Sequence, residues 1–288
     1  MTGNGSLRAG ATLSKLSWGM RSESGPVRQH NEDFAAAYAP TIPDDAWDRG
    51  PVFMIADGLG GHAAGEVASR MAVESLLDAW RGTAPGDPAK SLRAGIRRAN
   101  MVVLDSALTD GRTGMATTLT ALTLAGREAI IAHVGDCRVY CVRQGQARQL
   151  TVDHSQASEM VRLKMITAEQ AVDHPARNQL SRAVGTNLTV QVDMGREKLE
   201  PGDTFVLCSD GLWSHVSDAE LTAIVAALAA RRVPTAVAAA DALVDLALSR
   251  QAADNVTAVV VHVPSGLPIP AAGVRRRPRF FRGRTPCG

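Results

Sequence analysis

The chain reads FMIADGLGGHAAGE over residues 53–66. An apolar run, typical of a buried strand, ends at Asp57 and is followed by a glycine-rich turn, by His62 and by the start of a helical pattern. Because glycine has no Cβ, a backbone of this kind can approach an ion or a substrate closely. The stretch therefore predicts that a strand delivers one carboxylate to a ligand site at the edge of a sheet.

Two later stretches repeat the strand and the acid. Residues 205–211 read FVLCSDG, so Asp210 ends another apolar run, and Asp254 comes shortly before the apolar residues 256–263. We expect these two aspartates and Asp57 to form a metal cluster. Carboxylate oxygens suit Mg²⁺ or Mn²⁺ better than Zn²⁺. Two such ions about 3.5–4 Å apart can hold a bridging hydroxide and promote in-line displacement at phosphorus.

Further candidates flank this cluster. Arg28 lies in a polar loop and could clamp phosphate oxygens, and His62 could protonate a leaving alkoxide. Each signal alone also fits a structural role, because Asp-Gly after a strand is typical of a turn and a loop arginine is usually solvated. Asp136, after another apolar strand, is by default a turn residue as well. The residues alone indicate a divalent-metal site that is compatible with phosphoryl chemistry.

Length and composition exclude several classes of protein. A chain of 288 residues with 45% hydrophobic content is neither disordered nor collagen-like, and it could form one large domain or two small ones. No apolar run reaches the ~20 residues that a membrane helix needs, and no secretory signal precedes the first strand. The four cysteines lack zinc-site spacing. We therefore expect a soluble, cytoplasmic protein with reduced thiols.

The charge is unevenly distributed. The chain has 31 basic and 29 acidic residues, but six arginines lie between Arg275 and Arg284 and the last acidic residue is Asp254. The slightly acidic body argues against a nucleic-acid-binding domain. The tail could contact lipid, nucleic acid or an acidic partner, or it could be a solvated, disordered end.

The order of predicted elements indicates the fold class. Strands come first, then two helices over about residues 64–80 and 89–108, then many closely spaced strands, two more helices and a last strand at residues 256–263. We predict a strand at residues 189–194, and short helices between residues 155 and 185. This order favours an α+β fold with two antiparallel sheets flanked by antiparallel helix pairs, a four-layer αββα sandwich.

At these residues the chain resembles the bacterial branch of the PP2C (PPM) family of metal-dependent protein serine/threonine phosphatases. Eight motifs fall in family order and extend over about residues 13–263. They read VRQHNED (27–33), ADGLGGHAAGEVAS (56–69), GMATTL (114–119), VGDCR (134–138), LTVDHS (150–155), RAVGT (182–186), LCSDGLW (207–213) and DNVT (254–257).

The resemblance implies a role for each site residue. Asp57 would bridge two Mn²⁺ or Mg²⁺ ions, with the Gly58 carbonyl on one and Asp210 and Asp254 on the other. The two acids of the polar loop, Glu32 and Asp33, would act mainly through water. The remaining implied roles are substrate phosphate binding by Arg28, general acid catalysis by His62, and a weaker third metal ion on Asp136 with Asp210.

The resemblance also implies hydrolysis of phosphoserine and phosphothreonine by a metal-bridging hydroxide. It implies a domain over residues 13–263 and a flap near residues 155–185. Substrates would be phosphoproteins that a serine/threonine kinase modifies, and the enzyme would be a monomer. Composition, in contrast, predicts a flexible segment at 1–12, a basic tail at 264–288 that we expect to be disordered, a cytoplasmic location and no nucleic-acid partners. Cys137, Ala116 and residues 163–165 depart from the usual family residues without removing a ligand.

Other functions remain compatible with the sequence. The chain could be a phosphatase devoted to a single regulator, or a catalytically weak or inactive PP2C-fold module that only binds a partner. The complete set of acidic residues argues against the inactive module. A nucleic-acid role would rest on the arginine tail alone.

Overall fold

The computed structural model describes residues 7–13, 16–39, 50–60, 63–82, 86–112, 114–229 and 235–265. His62 and residues 266–288 lie outside these ranges. The strands are β1 (Leu7–Leu13), β2 (Leu16–Glu23), β3 (Asp33–Tyr38), β4 (Val52–Leu59), β5 (Ala116–Thr117), β6 (Leu119–Ala125), β7 (Glu128–Val134), β8 (Arg138–Arg143), β9 (Gln146–Gln149), β10 (Asp193–Lys198), β11 (Thr204–Cys208) and β12 (Val256–His262). The helices are α1 (Ala63–Gly82), α2 (Pro88–Thr109), α3 (Gln156–Arg162), α4 (Ala168–Val172), α5 (Asp210–Trp213), α6 (Asp218–Ala229) and α7 (Ala236–Ser249).

The strands form two antiparallel sheets. One has the order β1-β2-β12-β11-β8-β9, and the other has the order β10-β7-β6-β4-β3 with β5 paired to the end of β4. The β8–β9 hairpin turns at Gln144 and Gly145, which both have the positive φ that a tight two-residue hairpin turn requires. The predicted antiparallel α+β class is confirmed.

Three hydrophobic cores lie between the four layers of the fold, which are a helix pair, two sheets and a second helix pair. The first lies between α1, α2 and the β4-containing sheet, and its largest buried side chain is Trp80. The second fills the space between the sheets and includes Phe53 and Phe205. The third lies between the other sheet and α6 and α7, and includes Leu243. Each helix pair covers one outer face, so the predicted αββα sandwich is confirmed.

Three boundaries differ from the sequence prediction. Residues 7–13 form β1, paired with β2, where a flexible segment over residues 1–12 was expected. The strand predicted at residues 189–194 is β10 at 193–198, because pairing with β7 begins only at Asp193, although the preceding Val190 and Val192 are buried. The alternation of threonine and apolar residues over 114–124 is typical of one strand, but it is broken at Thr118, whose backbone N–H bonds to the Asp57 carbonyl.

Residues 155–185 leave the sheets and form an excursion that contains α3 and α4, which we call the flap. Thr167 caps α4 through reciprocal bonds with Gln170, a pairing typical of a helix start. Within the described residues, no helix has the length and apolar character needed to cross a membrane.

Candidate metal and phosphate site

The first half of the site lies on β3 and β4. Asp33 begins β3 and stands opposite Asp57 in the antiparallel register. The backbone N–H of Asp57 donates to the Thr118 hydroxyl oxygen at 2.8 Å, and the Asp57 carbonyl accepts from the Thr117 hydroxyl and the Thr118 N–H, also at 2.8 Å. The partners Thr117 and Thr118 lie where β5 ends and β6 has not yet begun, and their bonds fix the position of the Asp57 backbone.

The second half lies on β11 and β12, which are antiparallel neighbours. Asp210 comes two residues after β11 ends, and Asp254 comes two residues before β12 begins. The two segments touch at Gly211, where a Cβ would lie 2.1 Å from the Asn255 carbonyl oxygen. Only glycine therefore lets the backbones of these two aspartate-bearing segments approach so closely.

The two halves are joined at Asp33, which belongs to one sheet but accepts bonds from the other. Its Oδ2 accepts from the Ser209 hydroxyl and the Thr257 hydroxyl, each at 2.6 Å. Its Oδ1 is buried without a hydrogen-bond partner. A buried carboxylate oxygen without a donor is costly, so this atom favours a nearby cation or ordered water.

Burial and mutual repulsion raise the pKa values of the clustered acids. The pKa of Asp57 lies well above the usual range, and burial is the largest cause. The negative charges of four neighbours raise it further, namely Asp33, Asp210, Asp136 and Asp254. Burial likewise raises the pKa of Asp136 to about 8, of Asp33 to about 7 and of Asp210 to about 6. Divalent cations would compensate this concentration of negative charge.

The donors fit a hard cation, since all of them are oxygens. Among the described residues, no three His, Cys, Asp or Glu side chains already enclose a metal-sized position. Mg²⁺ commonly keeps several water ligands and uses only one or two carboxylates, so an open arrangement is compatible with such ions.

We expect the metal-free protein to lose stability as the pH rises towards about 8. Unfolded aspartates ionise near pH 4, whereas Asp33 and Asp136 keep their protons in the fold up to about pH 7 and about pH 8, so the unfolded state binds fewer protons over this range. His133, whose pKa burial lowers to about 3, acts in the opposite direction only below about pH 6.5, where unfolded histidine gains a proton. Above about pH 6.5 this opposing contribution ends, and stability falls until the aspartates are ionised.

Thermal unfolding with chelator across this pH range checks the expectation. Added Mn²⁺ should raise the melting temperature most at the alkaline end, where the carboxylates are charged. A melting temperature that keeps rising above pH 7 in chelator would contradict this electrostatic account.

Arg28 stands at the open side of the cluster. Its Nη2 donates to Asp254 Oδ2 at 2.8 Å, and both side chains are partly exposed. With Gln29, His30 and Glu32 it lines an open pocket of about 210 Å³. From this position the Arg28 guanidinium can bind an incoming phosphate without a change in the conformation of its loop.

Asp136 is held from two sides. The preceding residue, Gly135, donates its N–H to His154 Nδ1 at 3.0 Å and accepts the His154 backbone N–H at 2.8 Å. On the other side, Trp213 Nε1 donates to the Asp136 carbonyl at 3.1 Å. The turn is therefore fixed by His154, which directly precedes the flap, and by α5.

A match to a protein-family model identifies the family of this chain. Residues 19–256 match the model described as "Protein phosphatase 2C", and they include every predicted site residue. The chain belongs to the protein phosphatase 2C family. It is therefore a protein phosphatase, as its motifs predicted.

Individual relatives agree with this phosphatase family. The chain is 37% identical to the serine/threonine phosphatase stp of Listeria innocua over 84% of its own length and 93% of the relative. It is 35% identical to the serine/threonine protein phosphatase PstP of Mycobacterium tuberculosis, over 86% of this chain but 45% of PstP.

Solved structures show the same fold. The serine/threonine phosphatase of S. agalactiae aligns with a TM-score of 0.77 at 32% identity, over 86% of this chain and 99% of that chain. The PstP catalytic domain in complex with two manganese ions aligns with a TM-score of 0.70 at 34% identity, over 87% of this chain and 99% of that chain.

The structure of this phosphatase places the predicted acids together, but it also contains organising residues that the sequence reasoning missed. Asn255 accepts the Glu32 N–H at 2.8 Å and donates to the carbonyls of Ser24 and His30, so it holds the Arg28 loop against β12. Its place directly after Asp254 was the available signal. The predicted general acid, His62, lies outside the described residues.

Proposed function

We propose that this phosphatase hydrolyses phosphoserine and phosphothreonine in protein substrates, using Mn²⁺ or Mg²⁺ at the carboxylate cluster. The observation that carries the proposal is the convergence of Asp33, Asp57, Asp210 and Asp254, whose mutual repulsion contributes to raising the Asp57 pKa. The names of the relatives stp and PstP support the substrate class, and the manganese-bound PstP structure supports the metal.

The residues would divide the ions between them as follows. Asp57 would hold both catalytic ions, with the Gly58 carbonyl serving one and Asp210 and Asp254 the other. The carboxylates of Glu32 and Asp33 would act through intervening water. When bound, the ions supply Lewis-acid stabilisation of the phosphoryl charge and a nucleophile at neutral pH. A weaker third ion on Asp136 and Asp210 is part of the proposal.

Two side chains of the chain itself would handle the substrate. Arg28 would bind two phosphate oxygens with its guanidinium and orient the phosphorus toward the cluster. Its bond to Asp254 keeps it poised there before substrate arrives. His62, which follows the Asp57 turn in sequence, would donate a proton to the leaving serine or threonine oxygen.

The proposal is tested by hydrolysis of p-nitrophenyl phosphate, a phosphothreonine peptide and a phosphotyrosine peptide, each with Mn²⁺, with Mg²⁺ and with chelator. We expect metal-dependent release of phosphate from p-nitrophenyl phosphate and the phosphothreonine peptide, and little from the phosphotyrosine peptide. Absence of turnover with either metal, in a protein with native circular dichroism, would contradict the proposal.

Replacing Arg28 should weaken phosphate binding. For Arg28→Ala we expect kcat/KM to fall about 10- to 100-fold, since hydrogen bonds to a charged group are lost, and inhibition by inorganic phosphate to weaken similarly. Arg28→Lys keeps the positive charge but cannot donate two parallel hydrogen bonds, so its kcat/KM should lie between those of the wild type and Arg28→Ala. Unchanged phosphate inhibition in Arg28→Ala would remove this residue from the substrate site.

The remaining assignments are part of the same proposal. A catalytic domain over residues 13–263 with a flap at 155–185 and a basic tail, a monomeric state, a cytoplasmic location and substrates supplied by a serine/threonine kinase all stay predictions. No observation favours the inactive binding module, because the acidic residues that the motifs specify are all present.

A further inference from the structure

Thr118 is fully buried and lies between the two segments that carry Asp57 and Asp136. On one side, its hydroxyl oxygen accepts the backbone N–H of Asp57 at 2.8 Å. Its own backbone N–H donates to the Asp57 carbonyl, also at 2.8 Å. Thr118 therefore binds both backbone polar groups of the residue that is proposed to hold both catalytic ions.

On its other side, Thr118 contacts the turn that leads to Asp136. The pairing of β6 with β7 reaches Leu119 and Val134, and the next residues along the two strands are Thr118 and Gly135. A Cβ at Gly135 would lie 2.4 Å from the Cβ and the methyl carbon of Thr118, and Gly135 has a φ of +113°. Only glycine therefore lets this turn pack directly on Thr118.

The residue after Asp136 adds a hydrogen bond to this contact. Cys137 Sγ lies 3.2 Å from the Thr118 hydroxyl oxygen, and either group can donate. Both side chains are fully buried, so bulk water cannot replace a partner that is lost. The Asp57 N–H, the Thr118 hydroxyl and the Cys137 thiol thus form a continuous chain of hydrogen bonds from β4 to the Asp136 turn.

We propose that Thr118 is a positioning residue that sets the spacing between Asp57 and the Asp136 turn, with Cys137 holding the Thr118 hydroxyl in place. The inference rests on the proposed function, because the ions at Asp57 and Asp136 are part of that function. Thr118 acts through the backbone of Asp57 and is not itself a metal ligand. Groups that orient metal ligands in this way typically contribute roughly 10- to 100-fold to metal affinity or activity.

Thr118→Val tests the proposal, because valine keeps the branched shape and removes only the hydroxyl. We expect the dissociation constant for Mn²⁺, measured by isothermal titration calorimetry, to rise about 10-fold. At saturating Mn²⁺, kcat for p-nitrophenyl phosphate should fall by a similar factor while KM changes less than about twofold. Thr118→Ser keeps the hydroxyl and should restore most of the affinity. Cys137→Ala should weaken Mn²⁺ binding less than Thr118→Val does, because a thiol forms weak hydrogen bonds.

Thr123→Val is the matched control. Thr123 is a buried threonine of the same strand, β6, and its hydroxyl donates to the Pro51 carbonyl at 2.7 Å. It pairs with Val52, at the opposite end of β4 from Asp57. We expect Thr123→Val to lower the melting temperature and to keep the Mn²⁺ affinity of the wild type.

Two outcomes would overturn the proposal. One is wild-type Mn²⁺ affinity in Thr118→Val, and the other is an equal loss of affinity in Thr123→Val, which would attribute the effect to the stability of β6. Failure of the wild type to hydrolyse p-nitrophenyl phosphate would count against the proposed function alone, since calorimetry measures ion binding without turnover.

Discussion

Asp57→Asn is expected to lower kcat for p-nitrophenyl phosphate by roughly 10³-fold or more, because the side chain proposed to bridge both ions loses its charge. The same substitution should stabilise the metal-free protein. Burial and four neighbouring aspartates raise the pKa of Asp57, so the folded state ionises this group only at a cost. An asparagine of the same shape removes that cost.

The measurement pairs steady-state kinetics in Mn²⁺ with thermal unfolding in chelator at about pH 8. Asp203→Asn is a matched control, since Asp203 is also buried but accepts from the Arg143 guanidinium at 2.7 and 2.8 Å, far from the cluster in the fold. It should lose about 1.5–3 kcal/mol of stability and keep its kcat while folded. If Asp57→Asn instead melts at a lower temperature than the wild type in chelator, burial and repulsion by the neighbouring aspartates do not destabilise the charged Asp57 as proposed.

Gly211→Ala is expected to disable the site without removing any ligand. The added Cβ would lie 2.1 Å from the Asn255 carbonyl oxygen, so the segments that carry Asp210 and Asp254 must separate. A displacement of about 1 Å in a catalytic constellation can cost on the order of 10²-fold in rate. We therefore expect kcat to fall by about that factor and the Mn²⁺ concentration at half-maximal activity to rise.

Gly82→Ala is the control for this substitution. A Cβ at Gly82 meets no atom within 4 Å, and the residue ends α1 far along the chain from the acids. It should leave both kcat and metal dependence unchanged. Wild-type metal dependence in Gly211→Ala would mean that the contact between the two segments is not needed to hold the ions.

The layered fold could be predicted from the sequence because hydrophobic periodicity changes clearly along the chain. The apolar face of α1 and the alternation in β6 each have a single plausible partner layer. Boundaries were harder where tertiary contacts decide them. Thr118 carries a strand-like pattern, yet its bonds to Asp57 interrupt the strand, and no local rule anticipates a partner sixty residues away.

The same contrast holds for the site, where residues next to an apolar strand could be predicted and residues with remote partners could not. Asp57, Asp210 and Asp254 could be found because each stands next to an apolar strand, at a position where sequence alone indicates a sheet edge. The residues that organise them could not, since their partners are remote in sequence. Ser209 and Thr257 bond to Asp33 across the two sheets, and Asn255 holds the Arg28 loop, so their roles appear only once the sheets are packed.

The most direct test of the central claim is the number of Mn²⁺ ions bound per chain, measured together with turnover in the same preparation. The account predicts about two tightly bound ions, loss of phosphatase activity as they are removed by chelator, and recovery when they are restored. It also predicts that Asp57→Asn neither binds them tightly nor recovers. Full turnover in a preparation that retains no divalent metal would contradict the claim that the carboxylate cluster is a catalytic metal centre.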